Sequence, residues 1–262
     1  QRAGETVLHG GALFAERTEL SVESSEFSHN RAVLSAASGG AVALLNPIRT
    51  AFKATAFREN SAQDDGGAIF ALSSIRFGSD DVITMEGCVL EGNRAADSGG
   101  AIALDNARIA AAATLFSSNT AESYGGAISL DTDFDALSRL SDCAFRGNSA
   151  GFHGGALFVS TLTWLVAERS SFEGNMAGKR GGAIATGDLS NLLDAPTVRI
   201  DECLFSTNRV RRGRREYARV LDVAMPSSPC LFSSCLKVSS IVLYFELCGF
   251  CHLYTRTFPF VP

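Results

Sequence analysis

Nowhere in this sequence does an apolar stripe at helical spacing persist over about 11 residues from one segment to the next, which disfavours a helix-pair repeat. The chain has no initiator Met, and its first residues hold neither a basic nor an apolar signal-peptide region. It opens partway through a repeating unit, so a fragment or a processed product is expected. No Ser/His/Asp order and no Gly-rich phosphate loop stands out, so no catalytic residue and no cofactor is expected. The apolar stretch 239–254 contains Glu246 and is short for a membrane span. Positive charge is scarce in most of the chain. Residues 209–262 carry eight Lys/Arg against three acids, a net of +5. The total is −5, which leaves −10 for residues 1–208. An acidic body of that kind repels nucleic acid.

What the sequence does have is a repeat. FRGNSAGFHGGALFV (145–159) recurs as FRENSAQDDGGAIFA (57–71), LEGNRAADSGGAIAL (90–104), FSSNTAESYGGAISL (116–130) and FEGNMAGKRGGAIAT (172–186). A looser copy starts at Phe27, HGGALFA at His9 is truncated at its amino end, and FSTNRV at Phe205 at its carboxyl end. The Gly-Gly pairs begin at 10, 39, 66, 99, 125, 154 and 181, and in five of six full copies the pair begins six residues after the Asn. One arc of the unit is therefore constant in length, while the arc from Gly-Gly to the next Phe varies, with insertions at 73–83 and 131–141. Stacked units with one variable loop behave this way.

Both arcs have a strand period. Ile69 and Ala71, Ile102 and Leu104, Ile128 and Leu130 are spaced by two after Gly-Gly. The other arc reads small-x-Phe, as in Thr55 with Phe57, Cys143 with Phe145 and Cys203 with Phe205. A unit of about 27 residues holds three short strands and three turns. Stacking such units puts Phe27, Phe57, Phe116, Phe145, Phe172 and Phe205 in one column. Asn30, Asn60, Asn93, Asn119, Asn148, Asn175 and Asn208 then form a turn ladder, because Asn tolerates left-handed backbone angles and its amide bonds its neighbours. Gly-Gly serves a positive φ or a close backbone approach. Since parallel crossovers are right-handed, the expected fold is all-β: a right-handed parallel β-helix of about seven coils over residues 1–208. A non-repeat tail, basic then Cys- and Phe-rich, is expected over 209–262, either as a cap or as poorly ordered chain.

The pairing of FxxN with GGAI, as in Phe57–Asn60 followed by Gly66–Ile69, resembles the repeats of chlamydial polymorphic outer membrane proteins, over about residues 9–208. Related repeats occur in other secreted or surface β-helix proteins of the pectin-lyase-like superfold. The resemblance implies an extracellular or cell-surface protein.

Three groups of residues invite a chemical reading. DTDFDALSRLSD (131–142) places Asp131, Asp133, Asp135 and Asp142 at calcium-loop positions 1, 3, 5 and 12. Ala136 stands where the loop needs Gly, and Asp142 where it needs a bidentate Glu, so an acidic surface insertion is preferred and no metal is expected. Asp64 and Asp65 suggest the acid pair of a polysaccharide hydrolase. The same two places hold Asp97-Ser98, Ser123-Tyr124, Phe152-His153 and Lys179-Arg180 in other copies, which reads as an exposed turn. Cys88, Cys143 and Cys203 occupy a small slot that Ser and Thr fill elsewhere, so buried free thiols are expected. Cys230, Cys235, Cys248 and Cys251 in the tail suggest zinc or a disulfide only weakly.

The leading functional expectation is a non-enzymatic adhesion or structural binding module, with a host-cell, cell-wall or glycan ligand along one sheet face. Membrane association is expected only through the tail or segments outside these residues. The alternative is a polysaccharide lyase or hydrolase of the same fold, which requires Asp131, Asp133, Asp135 and Arg108 to share a groove with acids of adjacent coils.

Overall fold

Read down the stack rather than along the chain, the copies become columns. The computed structural model describes residues 7–8, 10–74, 82–132, 136–160, 163–187, 196–212, 215–217, 221–222 and 236–242. The described residues form β-strands and turns, with no α-helix among them. A representative turn of the solenoid runs Ile69–Leu72, Val82–Glu86, Val89–Glu91 and Arg94–Ala95, then returns to the next Gly-Gly strand, Ile102–Asp105. Each strand pairs in parallel with its equivalent one turn on. Thus Ile69, Ile102, Ile128, Leu157 and Ile184 are successive partners in the Gly-Gly sheet. Phe57, Leu90, Phe116, Phe145, Phe172 and Phe205 are successive partners in the Phe column. The seven ladder asparagines delimit six turns, and the protein is a parallel β-solenoid of about that many.

The core fills because strand residues alternate. Ile83 and Met85 face inward while Thr84 and Glu86 face out, and the inward residues of the sheets that carry the Gly-Gly strands and the Phe column belong to one cluster. Phe116, Phe145, Phe172 and Phe205 stack at centroid spacings of 4.7–4.8 Å with rings within 5° of parallel. That spacing is the interstrand distance, so the backbone ladder itself sets the aromatic stack. Leu90 interrupts the column, leaving Phe27 and Phe57 as a separate stacked pair.

The asparagine amides are saturated. Asn119 Oδ1 accepts from both the backbone N–H and the Nδ2 of Asn93, each at 3.0 Å. Asn119 Nδ2 donates to Asn148 Oδ1 at 3.0 Å and to the Leu90 carbonyl at 2.9 Å. Asn60, Asn93, Asn148 and Asn175 repeat this scheme. Two donors and two lone pairs are thereby used on a side chain with no exposed surface. The left-handed backbone sits elsewhere than expected. It falls on the residue before each asparagine: His29, Glu59, Gly92, Ser118, Gly147, Gly174 and Thr207. The ladder asparagines keep ordinary angles because their amides must point along the axis.

The two glycines of each pair have different tasks. Gly66, Gly99, Gly125, Gly154 and Gly181 have positive φ. The second glycine is a close approach: a Cβ on Gly100 would lie 2.1 Å from the Gly126 carbonyl oxygen.

The insertions are shorter than the sequence suggests. The insertion 73–83 runs into the strand Val82–Glu86, and 131–141 contains the strand Ala136–Ser141, both regular strands of the large sheet. Their apolar residues are too varied to reveal a motif, although they occupy matching positions. Beyond Asn208, Arg209–Arg212 and Leu221–Asp222 still pair in parallel with the preceding turn. Arg215–Tyr217 and Leu236–Val242 instead pair antiparallel, the latter along Thr197–Ser206.

The slot two residues before each Phe is a hydrogen-bonding position. Ser25, Thr55, Thr114 and Ser170 each donate to the carbonyl two residues earlier, at 2.8–2.9 Å. Cys88, Cys143 and Cys203 make the same contact with Sγ at 3.3–3.6 Å. All three are buried and free. Burial pushes the Cys143 thiol up to about 11 and raises those of Cys88 and Cys203, so none forms thiolate readily at neutral pH. Cys230, Cys235, Cys248 and Cys251 lie outside the described residues.

Two predictions follow from this packing. Asn119→Ala strands the Asn93 N–H, the Asn93 amide and the Leu90 carbonyl, and should cost on the order of 1–3 kcal/mol. Phe116→Ala should cost about 3–5 kcal/mol through its cavity. Denaturant midpoints unchanged in both variants would refute the inward assignments. Cys88 and Cys143 lie two rungs apart, roughly 9–10 Å, beyond the ~7 Å limit for a disulfide. Native protein should therefore leave both unbridged and unalkylated by iodoacetamide, with modification only on unfolding, as read by peptide mass.

Candidate functional site

The residue immediately before each Gly-Gly lies in a column of its own. Gly39, Gly66, Gly99, Gly125 and Gly154 donate their N–H to the carbonyls of Asp65, Ser98, Tyr124, His153 and Arg180 on the following turn, at 2.8–3.0 Å. The turn residues are thus stacked in register by backbone bonds, whatever their side chains. Asp65, Ser98, Tyr124 and His153 are half-buried rather than fully exposed. Tyr124 shows why: its ring stacks on Phe158 at 4.7 Å, covering the outer side of the Gly-Gly sheet. On that same outer side, Phe70, Ala103 and Ala185 are buried too.

One end of this stripe is acidic. Carboxylate oxygens of Asp64, Asp65 and Asp97 lie within 4.8 Å of one another, a spacing that a divalent cation with oxygen ligands can bridge. Asp65 Oδ1 accepts from the Ser98 N–H at 2.8 Å. Burial chiefly, with Asp64, Asp97 and Asp105 nearby, raises the Asp65 carboxyl from 3.8 to about 7, and the Ser98 bond only partly opposes this. Asp64 is raised as well, by burial and then by Asp97. A group of like charges this close keeps a proton or recruits a cation.

The other end is aromatic and basic. Tyr124 lies 5.5 Å from His153 and 6.1 Å from Phe152, centroid to centroid. Lys179 Nζ stands 3.8 Å from the Phe152 ring centroid. A pocket of about 460 Å³ opens here, lined by Tyr124, His153, Phe158, Lys179, Arg180, Thr186 and Gly187. Among the described residues, no acid lines it.

The 131–142 set is not gathered in this way. Asp131 is exposed at the end of Ile128–Asp131, in register with Asp105. Asp133 and Asp135 lie outside the described residues. Asp142 occupies a left-handed bend, with φ 54°. It accepts two hydrogen bonds from the Arg169 guanidinium, each at 2.9 Å. Those bonds hold the Asp142 carboxyl below its ordinary value. Between Asp131 and Asp142 the chain enters the strand Ala136–Ser141. Arg108 opens the strand Arg108–Ala112. The residues that do converge are therefore the pairs ahead of Gly-Gly. Sequence reasoning dismissed them because no two copies agree. The signal is present only when the pairs are read in coil order: Asp-Asp, Asp-Ser, Ser-Tyr, Phe-His, Lys-Arg.

The buried acid has a consequence for pH. With its folded value raised, Asp65 keeps its proton in the folded state while the unfolded chain loses it. Stability is therefore full below about 4 and falls as pH rises to about 7. A tenfold change in proton affinity is worth about 1.4 kcal/mol, so the loss amounts to roughly 2–4 kcal/mol. Asp65→Asn should abolish it, melting higher than the parent at pH 7.5 and close to it at pH 4. Equal melting curves at pH 7.5 would refute the assignment.

Comparison with known proteins fits this geometry. Residues 54–72, 113–131 and 169–187 match the Chlamydia polymorphic membrane protein (Chlamydia_PMP) repeat. Each match runs from the left-handed bend at Ala54, Ala113 or Arg169, through the Phe strand and the Asn turn, to the end of the Gly-Gly strand. It covers the arc of constant length and leaves out the variable one. No curated protein and no solved structure matches the chain. The chain is thus a parallel β-solenoid whose constant arcs are similar to the Chlamydia polymorphic membrane protein repeat.

Proposed function

We infer that this protein is a non-enzymatic, secreted or cell-surface β-solenoid that acts as an adhesion or structural binding module. The observation that carries this reading is the half-buried stripe ahead of the Gly-Gly pairs, on a scaffold whose repeats match those of polymorphic membrane proteins. The name of that repeat family speaks of membranes, which supports a cell-surface location for this chain. A rigid stack suits the role. Backbone bonds and the buried asparagines hold the register, so outer side chains can vary without loss of the fold. Host-cell, cell-wall and glycan surfaces are the partners that an extended face of this sort fits.

The alternative, a carbohydrate-active enzyme of the pectin-lyase-like fold, finds its best support in Asp64, Asp65 and Asp97. One of these carboxyls holds a proton near neutrality, as a general acid must. The spacing argues only against the inverting form: oxygens within 4.8 Å of one another leave less room than the roughly 6.5–9.5 Å between carboxyls that inverting hydrolysis uses, and are nearer the roughly 5–5.5 Å of a retaining pair.

Beads coated with the chain should adhere to cultured animal cells or to isolated cell-wall material above the level of uncoated beads. Adherence no better than background on every surface would defeat the adhesion reading. Turnover of any polysaccharide in a depolymerisation screen would favour the enzyme.

A further inference from the structure

The pocket at the basic end of the stripe has a composition unlike the rest of the body. Its walls are the rings of Tyr124, Phe158 and His153, and its charged lining residues are Lys179 and Arg180. Around it, residues 1–208 carry a net charge of −10. A cationic pocket in an acidic body repels anions from most of the surface and admits them at one place. The aromatic walls also restrict what enters. A small inorganic ion would use the cations but leave the rings uncovered, whereas a neutral sugar would use the rings but not the cations. The volume, about 460 Å³, lies in the range of small-ligand pockets.

We propose that the pocket formed by Tyr124, His153, Phe158, Lys179 and Arg180 binds a carboxylated sugar residue of an acidic glycan. The proposal rests on the binding-module reading and gives it a substrate class. The pyranose ring lies against the aromatic wall, and the carboxylate meets the Lys179 ammonium, with Arg180 adding positive charge to the lining. Phe152 has a positioning role: its ring holds the Lys179 ammonium 3.8 Å from its centroid, at the pocket rim. The stacked backbone fixes the spacing between the successive aromatic rungs of Tyr124 and His153 and the cationic rung of Arg180. No covalent step is involved.

The test uses the full chain and two probes with the same number of rings: tetragalacturonate and its methyl-esterified form. Isothermal titration should show tetragalacturonate binding that weakens with added salt. The ester should bind at least about tenfold more weakly. Lys179→Gln with Arg180→Gln should lower tetragalacturonate affinity by at least about tenfold. The melting temperature of Lys179→Gln alone should stay unchanged, since that side chain is exposed. Phe152→Ala should lower affinity less. Two results would overturn the proposal: no binding of tetragalacturonate at about 1 mM, or equal binding of the ester. Failure here is separable from failure of the adhesion reading. Coated beads that still adhere to cells, with or without Lys179 and Arg180, would leave adhesion standing without this ligand.

Discussion

The structure depends on the asparagine at the corner of each coil having all four of its hydrogen-bonding places filled. An amide removed from water with any of those places empty costs the solenoid free energy at every rung. The chain meets this constraint by repetition. Each interior Asn, from Asn60 to Asn175, accepts from the backbone and amide of the Asn before it, and donates to the one after it and to a Phe or Leu carbonyl behind it. No single coil can satisfy its own asparagine. The ladder therefore makes neighbouring coils depend on one another, and a one-residue slip in register would empty several amides at once.

That coupling explains where variation is allowed. The constant arc from the left-handed bend to the Gly-Gly strand holds the ladder, the Phe stack and the close glycine approach, and it is this arc that matches a known repeat. The arc from the Gly-Gly strand to the bend carries none of these and changes length freely. On the constant arc, the pair ahead of Gly-Gly contributes mainly its backbone to the stack, so its side chains are released from the fold. They range from two carboxylates to a lysine and an arginine while the carbonyl of each stays bonded to a glycine N–H.

Electrostatics along this stripe follows from the rise of a parallel stack, about 4.8 Å per rung. Burial chiefly, helped by acids on two adjacent rungs, pushes Asp65 to about 7. A few rungs farther on, rings and cations share a pocket whose described lining contains no acid. Surface ion pairs between rungs, such as Arg58 with Glu26 and Glu91 on the large sheet and Arg94 with Glu122 beside it, decorate the outer face. Being exposed, they add little to stability.

The sequence by itself determined the architecture, because a constant six-residue offset between Asn and Gly-Gly and a period of two on either side permit few folds other than stacked parallel strands. It also identified which residues share a column, since any regular stack aligns them. The tertiary structure alone decided what the columns do. The left-handed angle moved to the residue before each asparagine because the amide had to lie along the axis. The strands Val82–Glu86 and Ala136–Ser141 emerged where sequence showed only insertions, because parallel pairing with neighbours imposes a strand on residues that share no motif. Asp142, a calcium ligand by spacing, went instead to Arg169 on the next rung, a partner 27 residues away along the chain. The stripe of acids, rings and cations stayed hidden for the same reason: its members lie 26–33 residues apart in sequence and become neighbours only through the stack.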